Sequence, residues 1–197
     1  CPIIKQNKDS YIDVLHWGWA HNIAVATEPV IFAAYDHSGC NLENRLSIEE
    51  VDDVLTVQMQ EGYAESIRKT AKDKEKLTEN DPICSVCRYS FCVMASGKVF
   101  PCAGWQNNVI GDLNRQTVQE VWETSDKIKE LRQIKWSRFS QCVDCKDRGY
   151  CTVCMMWNSN ENSDGDPFRI NEHRCNVAAI IHRKVDSVLQ ETYPAEE

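Results

Sequence analysis

The sequence predicts a chain in two parts, an α/β segment over residues 1–80 followed by a small cysteine-rich α+β domain over residues 81–197. Three observations lead to this prediction. Strand-like and helix-like stretches alternate in the first 35 residues, a pattern typical of a β-α-β unit with parallel strands. Nine of the eleven cysteines, all except Cys1 and Cys40, come after residue 80. A strongly charged stretch over residues 65–80 separates the two parts, and we place the boundary near residues 80–82.

Composition excludes several classes of protein. The formal net charge of the 197 residues is −8, which argues against a nucleic-acid partner. The sequence contains no run of eighteen apolar residues and no signal-peptide pattern, so we expect a cytoplasmic protein without a membrane partner. The odd number of cysteines favours reduced, metal-binding thiols over paired disulfides.

The first 35 residues are expected to form the β-α-β unit. Residues 1–7 have the pattern of a buried strand end followed by a loop. Ser10 begins a helix through a capping-box-like sequence, and Asn22 is a plausible residue to end it. Residues 23–27 and 29–35 are apolar stretches typical of buried strands. A single unit of this kind cannot cover both faces of its sheet, which indicates a segment of a larger structure.

A long helix is predicted to follow. Ser47 and Glu50 have the spacing of a capping box, and apolar residues then recur near one helix face at Val51, Leu55, Met59 and Tyr63. The charged residues 65–80 are interpreted as the solvated end of this helix, running into a linker.

The cysteine-rich part is predicted to contain a hairpin and further helices. Residues 91–94 and 99–102 have the pattern of two short strands joined by a turn at Ser96–Gly97. A capping box at Thr117 and Glu120 begins a helix with one apolar face, formed by Val118, Val121, Trp122, Ser125, Ile128 and Leu131. Residues 158–166 have the composition of a loop. An amphipathic helix is expected after Cys175, with apolar residues at Ala178, Ile181, Val185, Val188 and Leu189.

Four cysteines within thirteen residues indicate a metal site. Residues 142–154 have the spacing C-x2-C-x5-C-x2-C, formed by Cys142, Cys145, Cys151 and Cys154. Two thiolates separated by two residues can bind one metal ion or one edge of an iron–sulfur cluster. A cysteine in an ordinary core needs no such spacing.

The hairpin is expected to bring further thiols together. Cys84 precedes it and Cys102 ends it, so both can reach one site, and Cys87 lies one C-x2-C step from Cys84. If the turn centres on Ser96–Gly97, Phe91 faces Cys102 and Cys92 points to the opposite face, as a buried structural thiol. Whether Cys87 or Cys92 completes this site stays open. Without Cys1, Cys40 and Cys92 the chain retains eight thiols, enough for two four-iron clusters.

These residues resemble a known family. From Cys84 to Cys175 the chain resembles a SPASM domain, the C-terminal auxiliary-cluster module of radical S-adenosylmethionine (SAM) enzymes. The family pattern is a cysteine, nine to fifteen residues, a glycine, four residues and a cysteine, then C-x2-C-x5-C-x3-C and a final cysteine. Gly97 and Cys102 fit its first part, and residues 111–113 and the helix reaching Trp122 resemble its connecting segment. This chain departs at Cys154, which follows Cys151 after two residues and not three.

The resemblance implies ligands for two auxiliary [4Fe–4S] clusters. The second cluster would be held by Cys142, Cys145, Cys151 and Cys175. The first would be held by Cys84, Cys87, Cys102 and, crossing over from the other loop, Cys154. A last cysteine that serves the neighbouring cluster also occurs in two-cluster ferredoxins.

The resemblance also implies that residues 1–80 are the last strands and helices of a partial (β/α)6 barrel, with residues 3–7 as a barrel strand. Radical SAM enzymes bind SAM and a third [4Fe–4S] cluster through a C-x3-C-x2-C loop, and this sequence has no such spacing. We therefore expect that the chain alone does not cleave SAM. It is either a C-terminal piece of such an enzyme or a degenerate relative, and its first residue, Cys1, favours the piece.

Resembled enzymes mostly modify ribosomal peptides or mature sulfatases, so we expect a peptide or protein substrate and a redox partner of the flavodoxin or ferredoxin type. Sulfatase maturation is the weaker alternative, because Ala103 follows Cys102 where those enzymes have a catalytic aspartate, and alanine cannot accept a proton. Two alternatives from other classes are an iron–sulfur electron-transfer module and a structural zinc-binding module. A reversible redox potential would separate these two.

Overall fold

A computed structural model of the protein describes residues 1–192, and the side chains of residues 1–190. Within this range the chain forms eight α-helices and one small antiparallel sheet. The helices are α1 Tyr11–Ala20, α2 Ile48–Gln60, α3 Tyr63–Glu75, α4 Val118–Thr124, α5 Asp126–Gln133, α6 Ser140–Val143, α7 Met155–Glu161 and α8 Glu172–Thr192. The strands are β1 Cys92–Val93, β2 Lys98–Phe100 and β3 Gly111–Asp112, in the order β1-β2-β3. None of the helices in residues 1–192 has both the length and the apolar character that a membrane crossing requires.

The predicted β-α-β unit is right for its helix and wrong for its strands. Helix α1 ends as expected, and Asn22 has the left-handed φ of 56°. Residues 23–27 and 29–35 form no strand, and residues 1–7 form only one parallel bridge, between Pro2 and Glu28. A strand requires a partner along its length, and the described residues supply none beyond this bridge. Ile23 is accordingly 48% exposed, where the sequence predicted burial.

The predicted long helix after Ser47 is two helices. Both hydrogen bonds of the capping box are present, from Glu50 N–H to Ser47 Oγ and from Ser47 N–H to the Glu50 carboxylate. Helix α2 then ends before Gly62, whose φ of 88° is incompatible with a continuing right-handed helix. Helix α3 begins at the next residue, and both helices pack against α8.

The interpretation of residues 65–80 as a solvated helix end running into a linker is right for most residues and wrong for the inner face of the helix. Helix α3 continues to Glu75, and Ala71 on its inner face is completely buried against Gly149. The Arg148 guanidinium donates to the carbonyls of Glu75 and Leu77, at 3.1 and 2.9 Å. The charged residues occupy the outer face, which is why the composition resembled that of a linker. The stretch therefore supports the cysteine-dense loop, and the domain boundary near residues 80–82 stays a prediction.

The hairpin is present, with a register one residue away from the expected one. Cys92 pairs with Phe100, and Val93 pairs with Val99. The Gly97 N–H donates to the Met94 carbonyl, and the Met94 N–H donates to the Lys98 carbonyl, so the loop has three residues and not two. Gly97 has a φ of 78°, as predicted. An odd loop length shifts the pairing by one, so Phe91 does not face Cys102.

Further corrections concern the C-terminal half. The helix predicted after Thr117 begins with its capping box but divides at Ser125, which is extended and donates its hydroxyl to the Ile110 carbonyl at 2.7 Å. Part of the predicted loop 158–166 is the buried helix α7. There the Asn160 side-chain amide donates to the Ala33 and Gly104 carbonyls, which joins the two parts of the chain. The C-terminal helix is confirmed and begins earlier, at Glu172, so Cys175 lies in its first turn.

Gly111 permits the contact between strand β3 and helix α4, which fixes one wall of the cysteine-rich domain. A Cβ atom at Gly111 would lie 2.6 Å from Cγ1 of Val121, a completely buried side chain. We expect Gly111→Ala to lower the free energy of unfolding by about 1–3 kcal/mol, because overpacked cores must shift their backbone. Chemical denaturation of both proteins in the same metal state measures this. Gly39→Ala is the matched control, since the nearest atom to its Cβ would be 3.7 Å away; equal losses in both variants would contradict the packing argument.

Candidate metal centres

Five of the predicted ligands line one cavity. They are Cys142, Cys145, Cys151, Cys154 and Cys175. Consecutive turns produce this arrangement: the Cys145 N–H donates to the Cys142 carbonyl, and the Arg148 N–H donates to the Cys145 carbonyl. A C-x2-C pair in such a turn presents both thiols to the same side. Helix α8 supplies Cys175 from its first turn.

Four of these thiols form one electrostatic group. Burial, followed by the proximity of Cys151, Cys175 and Cys145, raises the pKa of the Cys142 thiol to about 11. Burial, followed by Cys151 and Cys145, likewise raises the pKa of Cys175. Burial also raises the pKa of Cys151, while the charge of Arg174 and a hydrogen bond from its side chain act in the opposite direction. We call Cys142, Cys145, Cys151 and Cys175 the loop–helix group.

A second group forms around the start and end of the hairpin. Cys87 is fully buried, in a left-handed conformation with φ of 56°. Burial raises the pKa of its thiol to about 11; Arg132 opposes this shift, and Cys102 and Cys84 add to it. The pKa of Cys102 is raised by burial, with smaller contributions that include Cys154 and Cys84. We call Cys84, Cys87, Cys102 and Cys154 the hairpin group.

Cys154 adjoins both groups. Burial raises the pKa of its thiol, and the cysteine that adds to this shift is Cys84, seventy residues earlier. Helix α7 begins directly after Cys154, and the N–H groups of Met156 and Trp157 in its first turn act to lower this pKa, as does the charge of Arg174. The residue also lines the loop–helix cavity, so its electrostatic interaction with Cys84 is what assigns it to the hairpin group.

The remaining cysteines lie apart from both groups. Cys1 and Cys40 are exposed, and the Cys40 sulfur lies 3.1 Å from Ser38 Oγ. Cys92 is half-buried on strand β1, so the prediction of a buried thiol is wrong. The strand-parity argument for a buried Cys92 also fails. The observed register pairs Cys92 with Phe100, whereas that argument required Cys92 to pair with Pro101. Cys92 is nevertheless not among the thiols that add to the raised pKa of Cys87; those thiols are Cys102 and Cys84.

The number of thiols does not by itself identify the metal centre. Among residues 1–190, no three cysteine, histidine or carboxylate side chains form a group that could hold one metal ion. Structural zinc and a four-iron cluster can each use four thiolate ligands, so metal analysis is needed to separate them.

Two residues beside the loop–helix group were not predicted from the sequence. The Trp136 indole N–H and the Arg174 Nε–H are buried and have no hydrogen-bond partner among the described residues. Both side chains line the cysteine-lined cavity. Arg174 could have been suspected because it directly precedes Cys175, but no spacing pattern marks Trp136. Lys74 adds a second cation nearby: its ammonium group donates to the Cys151 carbonyl at 3.0 Å, and burial lowers its pKa.

Comparison with known families supports iron–sulfur cluster binding by the cysteine-rich part. Residues 84–146 match the family model of SPASM, described as an iron–sulfur cluster-binding domain. This segment covers less than half of the chain and contains the first five proposed ligands, from Cys84 to Cys145. Neither the curated proteins nor the solved structures gave a significant match. The match identifies iron–sulfur cluster binding as the property of this part of the protein.

The two thiol groups predict opposite outcomes for two cysteine substitutions. We expect Cys145→Ala to lose about half of the bound iron and of the cluster absorbance, because it removes one of four thiols from the loop–helix group. Cys92→Ala should retain both, because this thiol lies outside both groups. Iron analysis and absorption spectra after anaerobic reconstitution measure the difference, with exposed Cys40→Ala as a further control. Equal losses in the Cys145 and Cys92 variants would contradict the grouping.

Proposed function

We propose that the chain is the auxiliary-cluster portion of a radical SAM enzyme that modifies a peptide or protein, and that it binds two [4Fe–4S] clusters. The observation that carries this proposal is the iron–sulfur family match over residues 84–146, supported by the five candidate thiols that line one cavity. A protein with a single cluster would need only four thiols, and eight candidate thiols occur in the chain. The electrostatic interaction of Cys154 with Cys84 agrees with the ligand set that the SPASM resemblance implies.

The chain's own residues provide what each cluster needs. In each group the thiols would bind as thiolates, so cluster binding must displace protons from groups whose pKa values burial has raised. Arg174 and Lys74 place positive charge beside Cys151, and Arg132 does so beside Cys87. Apolar side chains of Trp136, Val153, Trp157, Ile170 and Ala178 line the loop–helix cavity and limit the access of water. When bound, clusters of this type supply one-electron transfer.

In this proposal residues 1–80 are the last elements of a partial barrel. The parallel bridge between Pro2 and Glu28 has the strand direction that such a barrel requires. Helix α1 and the residues after it expose Trp17, Trp19 and Ile23, with exposed fractions of 54%, 46% and 48%. Several large apolar side chains exposed on one short segment agree with a surface that further elements cover. Cleavage of SAM would require a cysteine loop outside this chain.

The metal content separates the proposed function from its zinc alternative. We expect about eight iron and eight sulfide ions per chain after anaerobic reconstitution, because two four-iron clusters would occupy the two groups. Redox titration should show reversible reduction, as the electron-transfer role also requires. About four irons per chain would contradict the two-cluster assignment. About two zinc ions per chain with no reversible potential would establish the structural zinc module.

The substrate class requires a separate experiment. We expect the polypeptide that combines this chain with a SAM-cleaving domain to crosslink or epimerise a short precursor peptide, with a reducing partner such as flavodoxin. Crosslinking removes two hydrogen atoms from the peptide, and epimerisation in D2O introduces one deuterium at a Cα atom. Mass spectrometry of co-expressed peptide and enzyme measures either change. Conversion of a sulfatase-type cysteine or serine to formylglycine would contradict this choice, which Ala103 disfavours.

A further inference from the structure

Two buried N–H donors without partners belong to side chains that line the cavity of the loop–helix group. Trp136 is only 4% exposed, and neither its indole N–H nor the Nε–H of Arg174 has a hydrogen-bond acceptor among the described residues. Both residues line the cavity together with Cys142, Cys151 and Cys175. Buried donors in folded proteins almost always have acceptors, so an unmatched pair at one cavity indicates that a bound group supplies them.

We propose that Trp136 and Arg174 donate hydrogen bonds to sulfur atoms of the cluster bound by the loop–helix group, and that these bonds raise its reduction potential. This inference rests on the proposed function, because it requires a cluster at this site. It adds two positioning and tuning residues to the four thiolate ligands.

Arg174 is held in place for this role by several contacts. Its charge acts to lower the pKa of Cys151, and its Nη1 lies 3.2 Å from a carboxylate oxygen of Glu28. The guanidinium also lies over the Trp157 ring, 5.5 Å from the ring centre. The ion pair with Glu28 uses Nη1, and Nε–H is left without an acceptor among the described residues. Because the side chain is largely buried, with 15% of it exposed, its charge is weakly screened by water.

Contacts with two other residues hold Trp136 in place. Its backbone N–H donates to the Asp81 carbonyl at 3.0 Å, and the Arg148 guanidinium lies over its ring at 5.6 Å. The ring therefore cannot turn freely toward solvent to satisfy its N–H. Trp157 lines the same cavity, but its indole N–H already donates to Glu161. Both tryptophans therefore line the cavity, but only the indole N–H of Trp136 lacks an acceptor.

The direction of the expected effect follows from charge. Reduction adds one negative charge to a cluster, so N–H donors and a nearby cation stabilise the reduced form more than the oxidised form. Removing either donor should therefore make reduction harder. The effect should be larger for Arg174, which also carries a full positive charge and lowers the pKa of the Cys151 thiol.

The test is a redox titration of the reconstituted chain followed by electron paramagnetic resonance. We expect Arg174→Met to lower the ratio of reduced to oxidised loop–helix cluster about tenfold at a fixed potential, a shift of about 59 mV for a one-electron couple. Trp136→Phe should also lower the reduction potential of this cluster, by a smaller amount. Arg183→Met is the matched control, since Arg183 pairs with Asp52 on another part of α8. The potential of the hairpin-group cluster serves as an internal reference.

A second measurement uses the unaltered protein. Resonance Raman spectra in H2O and D2O should show Fe–S stretching bands that shift on deuteration, and the shift should be smaller in Trp136→Phe. If both clusters are present while the variants titrate and deuterate like the unaltered chain, the tuning inference is wrong and the proposed function stands. If iron and sulfide analysis finds no cluster in the unaltered chain, both fail. Arg174→Lys, which retains the charge, should keep the cluster and lie between Arg174→Met and the unaltered chain.

Discussion

The cysteine-rich part of this protein depends on one constraint, the convergence of buried thiols from separate segments of the chain. Cys142 and Cys87 illustrate it, since burial raises the pKa of each thiol to about 11. Such thiols are protonated near neutral pH, and a metal centre binds them only as thiolates. Metal binding and proton release are therefore coupled, and the surrounding fold must hold the thiols together before the charge of the metal replaces their protons.

Several elements outside the cysteine loop contribute to this arrangement. Helix α3 packs along residues 148–150, and Arg148 ties the loop to the carbonyls at the end of that helix. Asn160 joins the N-terminal segment to the residues after the hairpin through two carbonyls. Arg174 pairs with Glu28 and lines the loop–helix cavity. These contacts join the N-terminal part of the chain to the cysteine-rich part.

Local sequence patterns predicted the elements that depend on local interactions. The capping boxes at Ser47 and Thr117 form both of their hydrogen bonds, because donor and acceptor lie three residues apart in the chain. The positive φ of Gly97 and the left-handed Asn22 were predicted for the same reason. Predictions that required long-range information failed more often. The strands over residues 23–27 lacked a pairing partner, and the charged face of helix α3 concealed its buried side.

By itself, the sequence determined the chemistry of this protein: the C-x2-C spacings and the excess of reduced thiols indicate metal–sulfur binding, because two thiolates in one turn necessarily face the same centre. Only the tertiary structure decided how these thiols are distributed. Cys154 is three residues from Cys151 and seventy from Cys84, yet the folded chain brings it close enough to Cys84 for that thiol to add to its raised pKa. The tertiary structure likewise decided that the N–H donors of Trp136 and Arg174 are buried without acceptors. A buried donor without an acceptor exists only in a folded core and leaves no pattern in the sequence.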